Sequence, residues 1–345
     1  MKETLINIKA IIPLLDITEL ELEDDTEASG ILELSDRAIN ELLQMSNYLT
    51  IDIGENMGES PAIEIKEILP SEIDENVTFP NEGIFKSRIL QFSFKKQYDP
   101  ATVEAQFDSE DLSTLGRSGI IGLTNDIMAD ELSKKIINLF LAANIAKPGS
   151  IGFESGMIYT NGQFNTELGY FSCDYLDRED YEVESIIRLR ELPIKGVWDW
   201  FDSIEGTEIN SAIGSVGRAI GTLSYVFGPG STRLWPQIIW SLLGLEAVYA
   251  PKGQLQKYQL TANIPKLLGK KAVVEKLIER LYELRLQFIH GDADFPFAHN
   301  DFNEIYGLDD DEFYEAQHYA LALLMATLQE LSEKGLTESP LTEAE

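Results

Sequence analysis

Near Glu205-Gly206 the chain changes its hydrophobic period, and that change limits the fold more than any other feature of the sequence. Upstream, short segments alternate apolar and polar residues, as a strand with one buried face does. Downstream, long segments place apolar residues every three to four positions, as a helix packed on one side does. One sheet cannot run through such a switch. The expected architecture is therefore an α+β domain over residues 1–205, an all-α helical bundle over 206–335, and an acidic tail over 336–345. A length of 345 residues fits two domains.

In the first part, strands are expected at 5–15, 61–69 and 84–94. In the second of these, Ile63 and Ile65 oppose Glu64 and Lys66. Helices are expected at 35–48 and 125–146, the latter stopped by Lys147-Pro148-Gly149. Further strands are expected at 151–160, 168–173 and 181–190. Trp198, Trp200 and Phe201 lie close to the boundary and read as an interdomain packing cluster. In the second part, helices are expected at 209–227, 232–249, 258–268, 271–290 and 309–334. Gly228-Pro229-Gly230, Gly269, Gly291 and Gly335 are their stops, and Ser231 is an N-cap. The first of these helices is rich in small residues (Ala212, Gly214, Gly217, Ala219, Gly221), which let a neighbour approach closely. The last ten residues are expected to fray.

Charge narrows the partners. The net formal charge of -32 excludes a uniformly basic nucleic-acid binder. It is unevenly spread. Residues 1–205 carry 16 basic and 40 acidic side chains, 206–290 carry 10 and 5, and 291–345 carry 1 and 14. A basic island thus sits between two acidic blocks and is a candidate anion-binding surface. Cys173 is the only cysteine, so no disulfide framework or cysteine zinc site is expected. Residues 1–12 lack the pattern of a secretory signal. The longest apolar run, 234–250, is interrupted by Gln237 and Glu246, as suits a buried helix better than a membrane span. A cytoplasmic protein with no membrane partner is expected.

Histidine chemistry must use His290, His299 or His318. Arg285 precedes His290 by five residues at the end of one expected helix. An arginine offers a fixed cationic fork to a phosphate, and a histidine moves protons near neutral pH. Together they suffice for metal-free RNA cleavage: deprotonation of the 2′-hydroxyl, stabilisation of the phosphorane and protonation of the leaving oxygen. On a helix, five residues turn about 500°, or about 140° round the axis. Convergence of the pair therefore requires the last turn to unwind at Gly291.

The surrounding residues carry a resemblance. Tyr282-Glu283-Leu284-Arg285-Leu286-Gln287-Phe288-Ile289-His290-Gly291 resembles the signature of HEPN domains, and most closely the ApeA-like HEPN family. Gln237-Ile238-Ile239-Trp240-Ser241-Leu242-Leu243-Gly244-Leu245-Glu246-Ala247 is similar to that family's helix ending in Leu-Glu-Ala. The resemblance covers residues 209–331, and residues 1–205 carry no family motif. It implies a helical bundle that forms a homodimer and cleaves RNA without a metal at a cleft shared by the two protomers. It implies a role in bacterial defence (abortive infection, anti-phage or toxin systems), with a defence-system or antitoxin partner. Arg285 would grip the scissile phosphate and His290 would be the acid and base. Glu246 and Tyr282 would support them. One position departs from the pattern: active members usually carry a polar residue after the arginine, and here it is Leu286. A second reading follows, in which the module binds RNA, a nucleotide or a partner without cleaving.

Lys270, Lys271, Lys276 and Arg280 extend the anion surface in one reading; in the other they pair with Glu275, Glu279 and Glu283 on an exposed helix face. His290, Asp292, Asp294, His299 and Asp301 lie within twelve residues, but their spacing matches no metal motif, so a solvated acidic loop is expected and no metal. His318 reads as a packed or exposed helix residue. Gly116-Arg117-Ser118-Gly119 is similar to the backbone clamp of KH domains but is read as a turn. No Walker A loop or Rossmann fingerprint occurs, and no cofactor is expected.

Overall fold

The structure, a computed structural model, describes residues 4–15, 25–52, 58–73, 88–105, 109–171, 187, 189–205, 211–228, 234–250, 256–269, 272–290 and 310–341. The chain forms two compact units, residues 1–140 with 151–171, and residues 141–150 with 172–345.

The first unit is α+β. Its elements are β1 (Thr4–Pro13), α1 (Asp25–Gln44), β2 (Glu64–Ile68), β3 (Ile89–Tyr98), a short α2 (Pro100–Glu104), α3 (Ser109–Ala146), β4 (Gly156–Thr160) and β5 (Gln163–Leu168). The strands form one antiparallel sheet in the order β2-β3-β1-β4-β5. Setting aside α2 and the edge strand β5, this is the split β-α-β arrangement, β-α-β-β-α-β. Alternation explains why β1 sits at its centre. Ile6, Ile8, Ala10 and Ile12 are fully buried, while Leu5 and Lys9 on the opposite face are exposed. An aromatic cluster fills the same core. Phe140 meets Phe153 edge-on at 5.1 Å and Phe171 at 5.8 Å, and Phe153 and Phe171 stack.

Several expectations shift here. The helix expected at 35–48 starts at Asp25 and ends at Gln44, with Leu34, upstream of the expected start, continuing the buried stripe of Ala38 and Leu42. The strand expected at 84–94 runs from Ile89 to Tyr98; residues 84–87 lie outside the described residues. Of the strand expected at 168–173, Leu168 ends β5 (Gln163–Leu168), Phe171 makes an isolated bridge to Phe153, and 172–173 lie outside the described residues; β5 itself is not among the expected strands. It is the return arm of a hairpin turned by Asn161-Gly162, with φ of 53° and 83° and Thr160 opposite Gln163. Two left-handed residues are what a tight hairpin needs, and Asn-Gly supplies them at least steric cost. Most of 181–190 lies outside the described residues. In the Gly116–Gly119 segment, only Gly116 leaves helical geometry (φ 65°, ψ 171°), so the break in α3 is one residue and not a four-residue clamp.

The second unit is helical: α4 (Ile194–Asp202), α5 (Gly214–Phe227), α6 (Leu234–Tyr249), α7 (Gln256–Leu268), α8 (Ala272–His290) and α9 (Asp310–Glu333). α6 packs most heavily on α5 and α9. Gly244 lets the three approach: a Cβ there would lie 2.5 Å from Thr222 Oγ1 and 2.9 Å from Leu324 Cδ1. The glycine at this helix contact is thus on α6; on α5, Gly217 and Gly221 instead face Ile204 and Ala212, which lie outside the helices. Two buried polar contacts cross between elements of this unit. Tyr249 Oη and Thr327 Oγ1 are 2.9 Å apart, and Asn263 Nδ2 donates to Tyr249 O at 2.9 Å.

This unit reaches further upstream than residue 206. Gln329 Nε2 on α9 donates to Ile145 O (2.8 Å) and Arg190 O (2.7 Å). Arg190 pairs with Glu330, and Lys147 donates to Leu192 O. These contacts tie 145–147 and 190–192 into the helical bundle, so the compact units part after Phe171 and not at 205/206. Trp198, Trp200 and Phe201 are buried on α4 within this unit, with Trp198 and Phe201 stacked at 6.0 Å. The tail, expected to fray, is anchored over Leu336–Leu341. Trp200 Nε1 donates to Leu336 O, and the Glu338 carboxylate accepts from Ser215 N (3.0 Å) and Ser215 Oγ (2.6 Å). Glu338 thereby satisfies an orphan N–H at the positive end of α5, a role usually filled locally.

Candidate functional site

α6 and α8 build the site. Glu246 lies in the last turn of α6 and is 5% exposed, an unusual depth for a carboxylate. Burial of a charge is tolerable only when it is paired and hydrogen-bonded. Two residues of α8 meet both needs. Tyr282 Oη donates to Glu246 Oε1 at 2.6 Å, and Arg285 Nη1 donates to and ion-pairs with the same oxygen. The guanidinium carbon of Arg285 also lies 5.5 Å from the centre of the Tyr282 ring, within cation–π range. Tyr282 and Arg285 share a helix side because three residues turn about 300°. Burial, followed by the bond to Glu246, pushes the Tyr282 hydroxyl well above the ordinary phenol range, so it stays a proton donor. The Arg285 side chain is 19% exposed. A guanidinium has five N–H donors, so a one-nitrogen hold on Glu246 is compatible with binding an anion as well.

The structure thus brings together Glu246, Tyr282 and Arg285, three of the residues singled out from the sequence. It does not bring His290 to them within one chain. α8 stays helical through His290, so the unwinding that convergence requires does not occur, and the two side chains leave the helix about 140° apart. His290 is exposed, as are Leu286 (48%) and Ile289 (59%). Arg285 is therefore bordered by apolar side chains on its solvent side.

Among the described residues, Lys276 and Arg280 do not join Arg285. On α8, Lys276 projects roughly 180° and Arg280 roughly 140° from it. Arg280 pairs with Glu283 at 3.5 Å, and Lys257 on α7 takes Glu279 at 3.7 Å. The paired, solvated face describes Arg280; a continuous anion surface through it to Arg285 is not formed. Lys270 and Lys271 lie outside the described residues, as do Asp292, Asp294, His299 and Asp301. Among the described residues, no group of three His, Cys, Asp or Glu side chains is placed to hold a metal ion. His318 is half-buried on α9. Among the described residues, no helix is long and apolar enough to cross a membrane.

One feature has no local motif to announce it. Tyr225 on α5 and Trp240 on α6 stack with ring centres 4.5 Å apart and planes 15° from parallel. Their meeting depends on the register between two helices, which periodicity along one helix does not encode. Compared with known proteins, the chain matches no family model, no curated protein and no solved structure.

Proposed function

We propose that the helical unit is a HEPN-type bundle. Within that class, we propose a metal-independent endoribonuclease of a bacterial defence system, acting as a homodimer. The observation that carries the reading is the buried Glu246 carboxylate holding Arg285 beside Tyr282. Such a brace fixes a cationic fork in one orientation, as stabilisation of a developing phosphorane demands. The Arg285 guanidinium neutralises the scissile phosphate. His290 removes the 2′-hydroxyl proton. The 2′-oxygen bonds to phosphorus, the bond to the 5′-oxygen breaks, and a second imidazole returns a proton to that oxygen. The products are a 2′,3′-cyclic phosphate and a free 5′-hydroxyl. Because Arg285 and His290 diverge on one α8, the second copy supplies the missing partner groups. The Leu286 and Ile289 side chains beside Arg285 suit a face that another copy covers. The α+β unit acts as sensor or restraint, and the acidic bulk limits idle RNA binding.

A second reading is favoured by Leu286. An exposed apolar residue next to Arg285 orients neither the guanidinium nor the substrate, which suits a module that binds RNA, a nucleotide or a partner enzyme without cleaving. One experiment separates the two: incubation of full-length protein with RNA in EDTA, comparing the wild type with Arg285→Ala and His290→Ala. The nuclease reading expects cyclic-phosphate ends from the wild type and at least 100-fold slower cleavage by either variant. Cleavage untouched by both substitutions overturns it, and RNA retention without cleavage supports the binding module.

A further inference from the structure

The Tyr225–Trp240 stack lies on the outer side of α5 and α6. Tyr225 is 60% exposed, although the indole of Trp240 covers one face of its ring. Its exposure therefore belongs to the other face. The partly exposed line of α6 through Pro236, Ile239, Trp240, Leu243 and Ala247 contains no charged side chain. No α6 carboxylate on that line repels a polyanion. The one acid of the helix, Glu246, is tied to Arg285. Trp240 and Glu246 are six residues apart, roughly 9 Å of helix rise and roughly 120° round the axis, so they lie on the two flanks of that line. The aromatic face on the α5 flank of α6 and the guanidinium that α8 lays against Glu246 on the other flank are thus separated by an uncharged strip that a strand of a few nucleotides can cross.

We propose that Tyr225 and Trp240 form a stacking platform for an unpaired nucleobase of the strand whose phosphate Arg285 takes. This rests on the RNA-cleaving reading above and deepens it: the substrate is single-stranded, because a base paired in a duplex cannot lie on the Tyr225 ring. Every base has a π-face, so the platform selects strandedness and not sequence. The guanidinium supplies charge at one end of the footprint and the aromatic pair supplies stacking at the other.

The test uses full-length protein in EDTA, with a fluorescein-labelled 2′-O-methyl RNA single strand, which has no 2′-hydroxyl to attack phosphorus, and its duplex, both titrated by anisotropy. Tyr225→Ala is compared with Tyr225→Phe and Arg285→Ala, and each sample is sized by light scattering. Tyr225 is largely exposed, so its truncation leaves the bundle packing in place, and circular dichroism checks this. The expected result is roughly 5- to 100-fold weaker single-strand binding by Tyr225→Ala. Near wild-type binding by Tyr225→Phe and unchanged duplex binding are expected alongside. If Tyr225→Ala binds like the wild type while Arg285→Ala does not, the platform is overturned and the RNA reading stands. If Tyr225→Ala instead splits a dimer with single-strand affinity unchanged, the face belongs to a second copy and the platform is again overturned. If the wild type binds no RNA, the RNA reading falls and the platform falls with it.

Discussion

Removing the arginine from the Glu246 group is expected to harm the helical unit more than neutralising the acid. Arg285→Ala leaves a carboxylate that is 5% exposed with only the Tyr282 hydroxyl to hold it. Stranding one member of a buried pair costs about 3–5 kcal/mol. The side chain of Arg285 is itself 19% exposed, which points to the lower end, about 3 kcal/mol. Glu246→Gln leaves the opposite orphan. The amide keeps an acceptor for Tyr282, and the freed guanidinium turns toward water, so the cost is about 1–2 kcal/mol. The double variant is expected to be less damaged than the sum, with a coupling of at least about 1 kcal/mol. Urea unfolding followed by tryptophan fluorescence measures this cleanly. All four tryptophans, at 198, 200, 235 and 240, lie in the helical unit, so the signal reports that unit alone. Stability of Arg285→Ala within about 0.5 kcal/mol of the wild type, or a larger loss in Glu246→Gln, would refute the argument that the buried carboxylate needs its cation. The result also bears on function. Loss of cleavage in Arg285→Ala counts as catalytic only at temperatures where the variant is shown to be folded.

Two further outcomes follow from packing and charge. Gly244→Ala puts a methyl against Thr222 and Leu324 and is expected to lower the stability of the same unit by about 1–3 kcal/mol, read from the same unfolding curve. Hydrogen bonds from the Ser215 hydroxyl, and then from its N–H, hold the Glu338 carboxyl below the usual range. A depressed folded-state pKa gives stability that is present above the unfolded value of about 4.3 and is lost as pH falls through the folded one. Glu338→Gln is therefore expected to lower the melting temperature by a constant amount between pH 6 and 8 and to flatten the acid limb below about pH 4.3, where the two proteins' melts converge. An acid limb identical to the wild type's would remove Glu338 from the account.

Local pattern was enough for much of this protein. The alternation in β1 and the three-to-four spacing in α5 to α9 set which elements form, because burial of one face depends on residues a turn or a pleat apart. Helix ends were equally legible where Gly149, Gly269 and Gly335 take a left-handed φ that other residues resist. Glu246 and Tyr282 as supports of Arg285 were expected from the resemblance, though the single carboxylate oxygen that takes both was not. Tertiary structure alone decided the rest. Glu246 and Arg285 are 39 residues apart, and Ser215 and Glu338 are 123 apart. Whether such pairs touch depends on how helices cross, and a period of 3.6 residues contains no term for that. The same holds for the end of the first compact unit at Phe171, which follows from α9 binding Ile145 and Arg190 and from Lys147 binding Leu192. It holds too for the divergence of Arg285 and His290, since only the intact last turn of α8 shows that one chain does not assemble the pair.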